Sequence, residues 1–133
     1  MWTHYYERWG SMTIDQLGPE MIALVPELAR SVPPARTYDK HVYSPWTGRD
    51  LHEQLCSAGI DTVIITGGET DVCVLATMLG AIDWGFRVIL VTDALCSSAD
   101  ENVYVNRFGE QVETVTTETL LESWQGTSHR KAS

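Results

Sequence analysis

The residue with the clearest chemical potential is Cys73, which follows an apolar run and two glycines. Residues 64–66 read as the end of a buried strand, Gly67 and Gly68 allow an unusual backbone path, and Thr70 is predicted to cap a helix. Cys73 then falls in the first turn of that helix, where unpaired N–H groups and the helix dipole favour the nucleophilic thiolate. The residues alone leave open a second interpretation, in which Cys73 packs under the sheet.

A second candidate is Lys40, which ends a short strand predicted at residues 36–40. The carboxyl ends of parallel strands lie at one edge of a sheet, so Lys40 and Cys73 are predicted at the same edge. An ammonium group there could orient a carboxylate or stabilise negative charge. The alternative is a solvated lysine paired with Asp39. Cys56 and Cys96 lack a comparable setting and are interpreted as structural.

The elements that must position these residues follow an alternation of short β-branched runs and longer helical stretches, which is typical of parallel βαβ units. The two most apolar runs show no polar alternation, as expected for strands covered on both faces. The sequence therefore predicts an α/β fold. The predicted strands are 36–40, 62–66, 87–92 and 111–115, and the predicted helices are 50–58, 71–84 and 117–124.

Length and charge narrow the class of protein. The chain has 133 residues, with 9 Lys and Arg against 18 Asp and Glu, a net charge of -9 and 44% hydrophobic residues. These values predict an acidic, globular protein that does not bind nucleic acid. No apolar stretch approaches the roughly 18 residues that span a bilayer, and residues 1–4 lack a signal-peptide pattern, so we also expect a cytoplasmic protein that does not bind membranes. We expect one domain over residues 1–125 and a flexible tail over 126–133. The three cysteines show no metal-ligand spacing, and we expect neither a metal nor a cofactor.

Three segments, taken together, resemble the isochorismatase-like cysteine hydrolase superfamily, which includes isochorismatases, nicotinamidases and N-carbamoylsarcosine amidohydrolases. They are Asp-Lys-His-Val-Tyr-Ser-Pro-Trp at 39–46, Gly-Gly-Glu-Thr-Asp-Val-Cys-Val at 67–74 and Val-Thr-Asp-Ala-Leu-Cys-Ser-Ser at 91–98. The resemblance extends from about Tyr5 to Trp124. It implies a Rossmann-like, three-layer parallel sheet with helices on both faces, and hydrolysis of a small amide, ureido or related substrate.

The resemblance also implies roles for individual residues. Cys73 matches the nucleophile of an Asp, Lys, Cys triad, and Lys40 matches the triad lysine. A cis peptide is implied between Gly68 and Glu69, with the N–H groups of Glu69 and Cys73 forming an oxyanion hole.

Two aromatic residues, Tyr43 and Trp46, are candidates to wall the substrate pocket. Packing in the core or at the rim of the site is an equally open interpretation for both.

The chain also departs from the superfamily pattern. No apolar segment ending in the triad aspartate is found, and Asp15, Asp39 and Asp71 are poor replacements for it. The first two strands of the sheet are expected to be missing from a partial, N-terminally truncated domain. Three hypotheses follow. The first is a cysteine hydrolase, expected to form a homo-oligomer and to act on a small molecule through a thioester. The second is an inactive relative that binds a partner or forms an oligomer, and the third is a thiol redox sensor that uses Cys73.

Overall fold

The computed structural model describes residues 1–98 and 111–130, without the side chains of 126–130. The chain forms two compact units, Met1–Tyr38 and Asp39–Ser133. The first unit consists of short helices joined by turns. They are α1 (Trp2–Arg8), a 3₁₀ turn (Gly10–Met12), α2 (Ile14–Leu17), a second 3₁₀ turn (Pro19–Ile22) and α3 (Pro26–Ala29).

The second unit contains a parallel sheet of three strands, β1 (Thr62–Gly68), β2 (Arg87–Cys96) and β3 (Val112–Val115), in the order β1-β2-β3. Helix α4 (Asp50–Ser57) precedes the sheet. The parallel strands, with helices before, between and after strands of the described part of the chain, confirm the predicted α/β fold.

The connection from β1 to β2 begins with one π-helical turn, Thr70–Val74, and continues as α5 (Leu75–Asp83). Helix α6 (Thr117–Arg130) follows β3. Among the described residues, no helix combines the length and the apolar character that crossing a bilayer requires.

One predicted strand is absent, and several predicted boundaries differ from the structure, most of all at the ends of β2 and α6. Residues 36–40 form no strand, because a strand persists only where a neighbour pairs with it and none of the described strands does. β2 extends four residues beyond the predicted end at residue 92. α6 continues to Arg130 instead of ending near residue 124, and residues 131–133 of the predicted tail lie outside the described residues.

The core of the second unit lies along the central strand. Val88 and Leu90 on β2, the central strand, are each 1% exposed and belong to the main apolar cluster. Met78 and Ala81 on α5 pack in the same cluster, so the apolar stripe of that helix faces the sheet. The other buried members are Trp46, Ile65, Val74, Phe86 and Val112.

The pairing of β1 with β2 changes register near the end of both strands. Ile65 pairs with Leu90, but Gly67 pairs with Leu95, so the intervening part of β2 bulges away from β1. Val91, at the start of this bulge, pairs instead with Val115 of β3. The bulge returns the end of β2 to the end of β1, at the point where the chain turns towards Cys73.

Candidate active site

Cys73 and Lys40 lie together at the carboxyl end of β1. The ammonium nitrogen of Lys40 is 3.6 Å from the sulfur of Cys73 and also donates to the carbonyl oxygen of Val42, at 3.2 Å. Lys40 reaches this position from an irregular segment and not from a strand end. Within the described residues, no carboxylate lies within hydrogen-bonding distance of the Cys73 sulfur. The contact places a positive charge where a thiolate would form.

Two glycines at the end of β1 serve different purposes. Gly67 has a φ of 99°, a conformation that other residues rarely adopt. Gly68 pairs with Cys96, and a Cβ there would lie 2.6 Å from the Cys96 sulfur, so only glycine permits this approach of the strands. The next peptide bond, between Gly68 and Glu69, is cis, at the position that the resemblance implied.

Cys73 sits inside the π-helical turn that opens the connection to α5. The carbonyl oxygen of Glu69 accepts from the N–H groups of Val72, at 3.2 Å, and Val74, at 3.0 Å. The hydroxyl of Thr77 donates to the carbonyl oxygen of Cys73 at 2.7 Å. The carbonyl group of Cys73 is therefore bound directly, and the main chain of its two sequence neighbours is bound to Glu69.

The predicted helix cap at Thr70 is wrong. Its side chain is 4% exposed, and its hydroxyl donates to the carbonyl oxygen of Cys96 at 2.9 Å instead of accepting from the helix. Glu69 occupies the cap position and makes no side-chain cap bond. Beside β2, the Thr70 hydroxyl therefore binds a strand carbonyl oxygen instead of capping the helix.

The carboxylate of Glu69 is bound by the chain that follows β2. It accepts from the Ser98 N–H at 2.6 Å, the Ser98 hydroxyl at 2.9 Å and the Ser97 hydroxyl at 3.2 Å. The backbone and side-chain bonds from Ser98 hold the pKa of Glu69 below its ordinary value, and the Ser97 bond adds to this. Burial and the neighbouring charge of Asp71 oppose the shift. Glu69 therefore stays ionised to a lower pH than a free glutamate.

The two aromatic pocket candidates have different surroundings. Trp46 is 8% exposed, stacks on Phe86 with ring centroids 5.5 Å apart and donates to the carbonyl oxygen of Thr77 at 2.8 Å. Of the two interpretations of Trp46, pocket wall and packing, these contacts favour packing in the core. Tyr43 is 45% exposed and three residues from Lys40 in sequence, so it is the more accessible of the two.

The other two thiols are exposed, in contrast to the partly buried Cys73. The sulfur of Cys56 is 3.3 Å from Nε2 of His52, whose ring stacks on Trp84. Within residues 1–98 and 111–125, whose side chains the structure describes, no group of three or more His, Cys, Asp or Glu is placed to hold a metal ion.

The sequence did not identify the contacts that hold the end of β2 in place. Ser97 and Ser98 bind Glu69, and Asp93 accepts from the N–H and hydroxyl of Thr117 at 2.8 and 3.0 Å. The polar residues Asp93, Ser97 and Ser98, which follow the apolar run 88–91, are the available signal, because such side chains often bind neighbouring backbone groups at the ends of elements.

Comparison with known proteins decides the family. Residues 1–119 match the sequence profile of the Isochorismatase domain. The chain belongs to the isochorismatase family. The isochorismatase family protein YwoC of Bacillus subtilis is 35% identical over 65 residues, which are 49% of this chain and 34% of YwoC. The matched part is thus about a third of that curated relative.

Solved structures of the isochorismatase family share the fold. An isochorismatase-like hydrolase from Alkaliphilus metalliredigens superposes with a TM-score of 0.64 at 28% identity, over 77% of this chain and 57% of that one. A pyrazinamidase of Pyrococcus horikoshii, solved in complex with zinc, gives a TM-score of 0.52 at 33% identity, over 62% of this chain and 48% of that one. Members of the family are hydrolases, and this chain spans only part of each of these proteins.

Proposed function

We propose that this isochorismatase-family chain hydrolyses the C–N bond of a small amide or ureido compound through a thioester on Cys73. The observation that carries the proposal is the 3.6 Å contact between the Lys40 ammonium and the Cys73 sulfur at the carboxyl end of a parallel strand. The similarity to a pyrazinamidase supports an amide as substrate.

The reaction follows acyl-transfer chemistry. The Cys73 thiolate attacks the substrate carbonyl carbon, forming a C–S bond and moving the carbonyl π electrons onto oxygen. The N–H groups of Glu69 and Cys73 stabilise that oxyanion. Its collapse breaks the C–N bond, and the amine takes a proton as it leaves. Water then attacks the thioester, which releases the carboxylic acid and restores the thiol.

The thiol proton needs an acceptor. In the triad that the resemblance implies, an aspartate has this role. Within the described residues, Asp71 is the carboxylate closest to Cys73 in sequence. Its Oδ1 already accepts a hydrogen bond from the Ser97 hydroxyl, at 2.6 Å. Within the described residues the proton therefore passes to solvent water, which returns one to the leaving amine, and the charge of Lys40 stabilises the thiolate after the proton has left.

The experiment is release of ammonia from a panel of small primary amides and ureides, including pyrazinamide, by the purified chain. We expect hydrolysis that Cys73→Ala abolishes and that Cys56→Ala, which removes an exposed thiol on α4, leaves unchanged. Equal hydrolysis by the Cys73→Ala variant, or no ammonia release by the wild-type chain from any compound of the panel, would contradict the proposal.

The second candidate function is an inactive relative that forms an oligomer or binds a partner. One observation favours it: among the described strands, β1 has a partner on one side only, and an open strand edge is a template for pairing with another chain. Sedimentation analysis distinguishes the two functions when combined with the ammonia assay, since this candidate predicts an assembled but inactive chain.

A further inference from the structure

Three consecutive residues before Cys73 are each bound to the end of β2. We call this arrangement the clasp, formed by residues 69–71 on one side and 96–98 on the other. Glu69 binds Ser98, Thr70 binds the carbonyl oxygen of Cys96, and Asp71 binds the Ser97 hydroxyl. The clasp therefore continues the β1–β2 pairing beyond Gly68 with side chains in place of main-chain bonds.

Glu69 connects the clasp to the turn that carries the nucleophile. Its carboxylate is fixed by Ser98, while its carbonyl oxygen accepts from Val72 and Val74 in the π-helical turn. A rotation of Glu69 would therefore disturb both its own main-chain N–H and the turn that contains Cys73. The N–H group of Glu69 and the N–H group of Cys73, which lies in that turn, are the two groups that the proposed reaction uses to bind the oxyanion.

The charge of Glu69 strengthens this link. Hydrogen bonds that involve an ionised group are about twice as strong as neutral ones, and the bond from the Ser98 N–H is 2.6 Å long. The lowered pKa of Glu69 agrees with a carboxylate that stays charged at neutral pH. Ser97 lies between two carboxylates and has one hydroxyl proton, so Asp71, at 2.6 Å, and Glu69, at 3.2 Å, compete for that proton. The two bonds from Ser98 do not have this competition.

We propose that Glu69 is a positioning residue for acyl transfer: through Ser98 it holds the main-chain N–H groups of Glu69 and Cys73 in the arrangement that binds the oxyanion. This inference rests on the proposed function, because it assumes that Cys73 is the nucleophile. The role belongs to the side chain of Glu69 and is separate from the role of its N–H group.

The test compares two reactions of the same thiol. Acylation of Cys73 by p-nitrophenyl acetate passes through an oxyanion, whereas alkylation by iodoacetamide does not. Peptide mass spectrometry measures both rates at Cys73 separately from those at Cys56 and Cys96. For Glu69→Ala we expect acylation to fall about tenfold or more, the scale of a weakened oxyanion donor, while alkylation stays within about twofold of wild type.

Two further variants complete the design. Glu69→Gln keeps the size of the side chain and one acceptor oxygen, so we expect acylation between the wild-type and Glu69→Ala rates. Glu53→Ala removes an exposed glutamate on α4 as a matched control, and both rates should stay at the wild-type level.

Several results would overturn the positioning role. They are equal falls in acylation and alkylation, an unchanged acylation rate in both Glu69 variants, or wild-type acylation of Cys73 that is no faster than that of a free cysteine peptide. Acylation that depends on Glu69, in a chain that releases no ammonia from amides, would instead retain the positioning role and contradict the proposed amide hydrolysis.

Discussion

The indole N–H of Trp46 donates to the carbonyl oxygen of Thr77 at 2.8 Å, one turn along the helix from Cys73. The hydroxyl of the same threonine donates to the Cys73 carbonyl at 2.7 Å. A buried aromatic ring and the main chain of the candidate nucleophile are therefore joined through one residue. Thr77 therefore binds both a residue of the hydrophobic core and a residue of the candidate active site.

Thr77→Val tests the hydrogen bond from the Thr77 hydroxyl to Cys73. Valine has nearly the shape of threonine but lacks the hydroxyl, so we expect a loss of about 1 kcal/mol in the free energy of unfolding, the net value of one hydrogen bond. Chemical denaturation measures it. Thr114→Val, at an exposed position on β3, serves as the control and should change stability by less than about 0.5 kcal/mol. Equal effects of the two substitutions would show that the Thr77 hydroxyl contributes nothing.

Gly80→Ala should destabilise the protein. Alanine usually stabilises a helix interior relative to glycine by about 1 kcal/mol. At Gly80, however, a Cβ would collide with the indole ring of Trp46, and overpacking of this kind costs about 1–3 kcal/mol. Gly10→Ala is the control, since a Cβ there meets no atom within 4 Å. Thermal unfolding measures both variants, and a Gly80→Ala melting temperature at or above the wild-type value would contradict the packing.

Lys40→Met should slow alkylation of Cys73. The ammonium lies 3.6 Å from the sulfur, and its loss removes a charge that stabilises the thiolate. Because the lysine is exposed, we expect a reduction of about threefold or more at pH 7 and low salt, with a smaller difference at high salt. The measurement is the rate of reaction with iodoacetamide at Cys73. Arg49→Met removes another exposed cation, and an equal reduction in that variant would show that net charge is responsible.

Asp93→Ala should destabilise the protein in a pH-dependent way. The backbone N–H of Thr117, with a smaller contribution from its hydroxyl, lowers the pKa of Asp93 against the effect of burial. A group with a lowered folded-state pKa contributes stability that is fully present above its ordinary pKa of about 4 and is lost as pH falls through the folded-state value.

The measurement is the melting temperature of both proteins between pH 7 and pH 3. We expect the wild-type protein to melt a few degrees above Asp93→Ala at pH 7, with the difference shrinking below about pH 4. Glu118→Ala provides the control for a neighbouring exposed carboxylate in the first turn of α6. A difference between wild type and Asp93→Ala that grows as pH falls would have the wrong sign and would contradict the assignment.

Much of the sheet could be predicted because its strands are defined by local composition. Residues 62–66 and 87–92 are apolar and β-branched, and both lie in strands of the structure. The structure also brings Lys40 and Cys73 together, although residues 36–40 form no strand. Lys40 therefore does not need a strand to reach the sulfur. The two residues were predicted to be close because Lys40 was expected to end a strand, and that expectation was wrong.

The clasp could not be predicted, because it depends on the register shift between Ile65 and Gly67. The spacing of apolar residues predicts which face of a helix or strand is buried, but it does not predict where the pairing of two strands shifts register. The same limit explains Thr70: the sequence shows a good capping residue, but only the position of Cys96 reveals a competing acceptor.

The π-helical turn at Thr70–Val74 has a consequence for how the family could diversify. A π turn contains one residue more than an α turn, so deletion of a single residue there could leave an uninterrupted α-helix with its hydrogen bonds intact. Residues before the deletion would rotate by about 100° relative to α5. A chain with that deletion could keep its sheet and its core while its thiol faced away from Lys40. The π turn therefore makes the direction of the thiol depend on one residue of chain length.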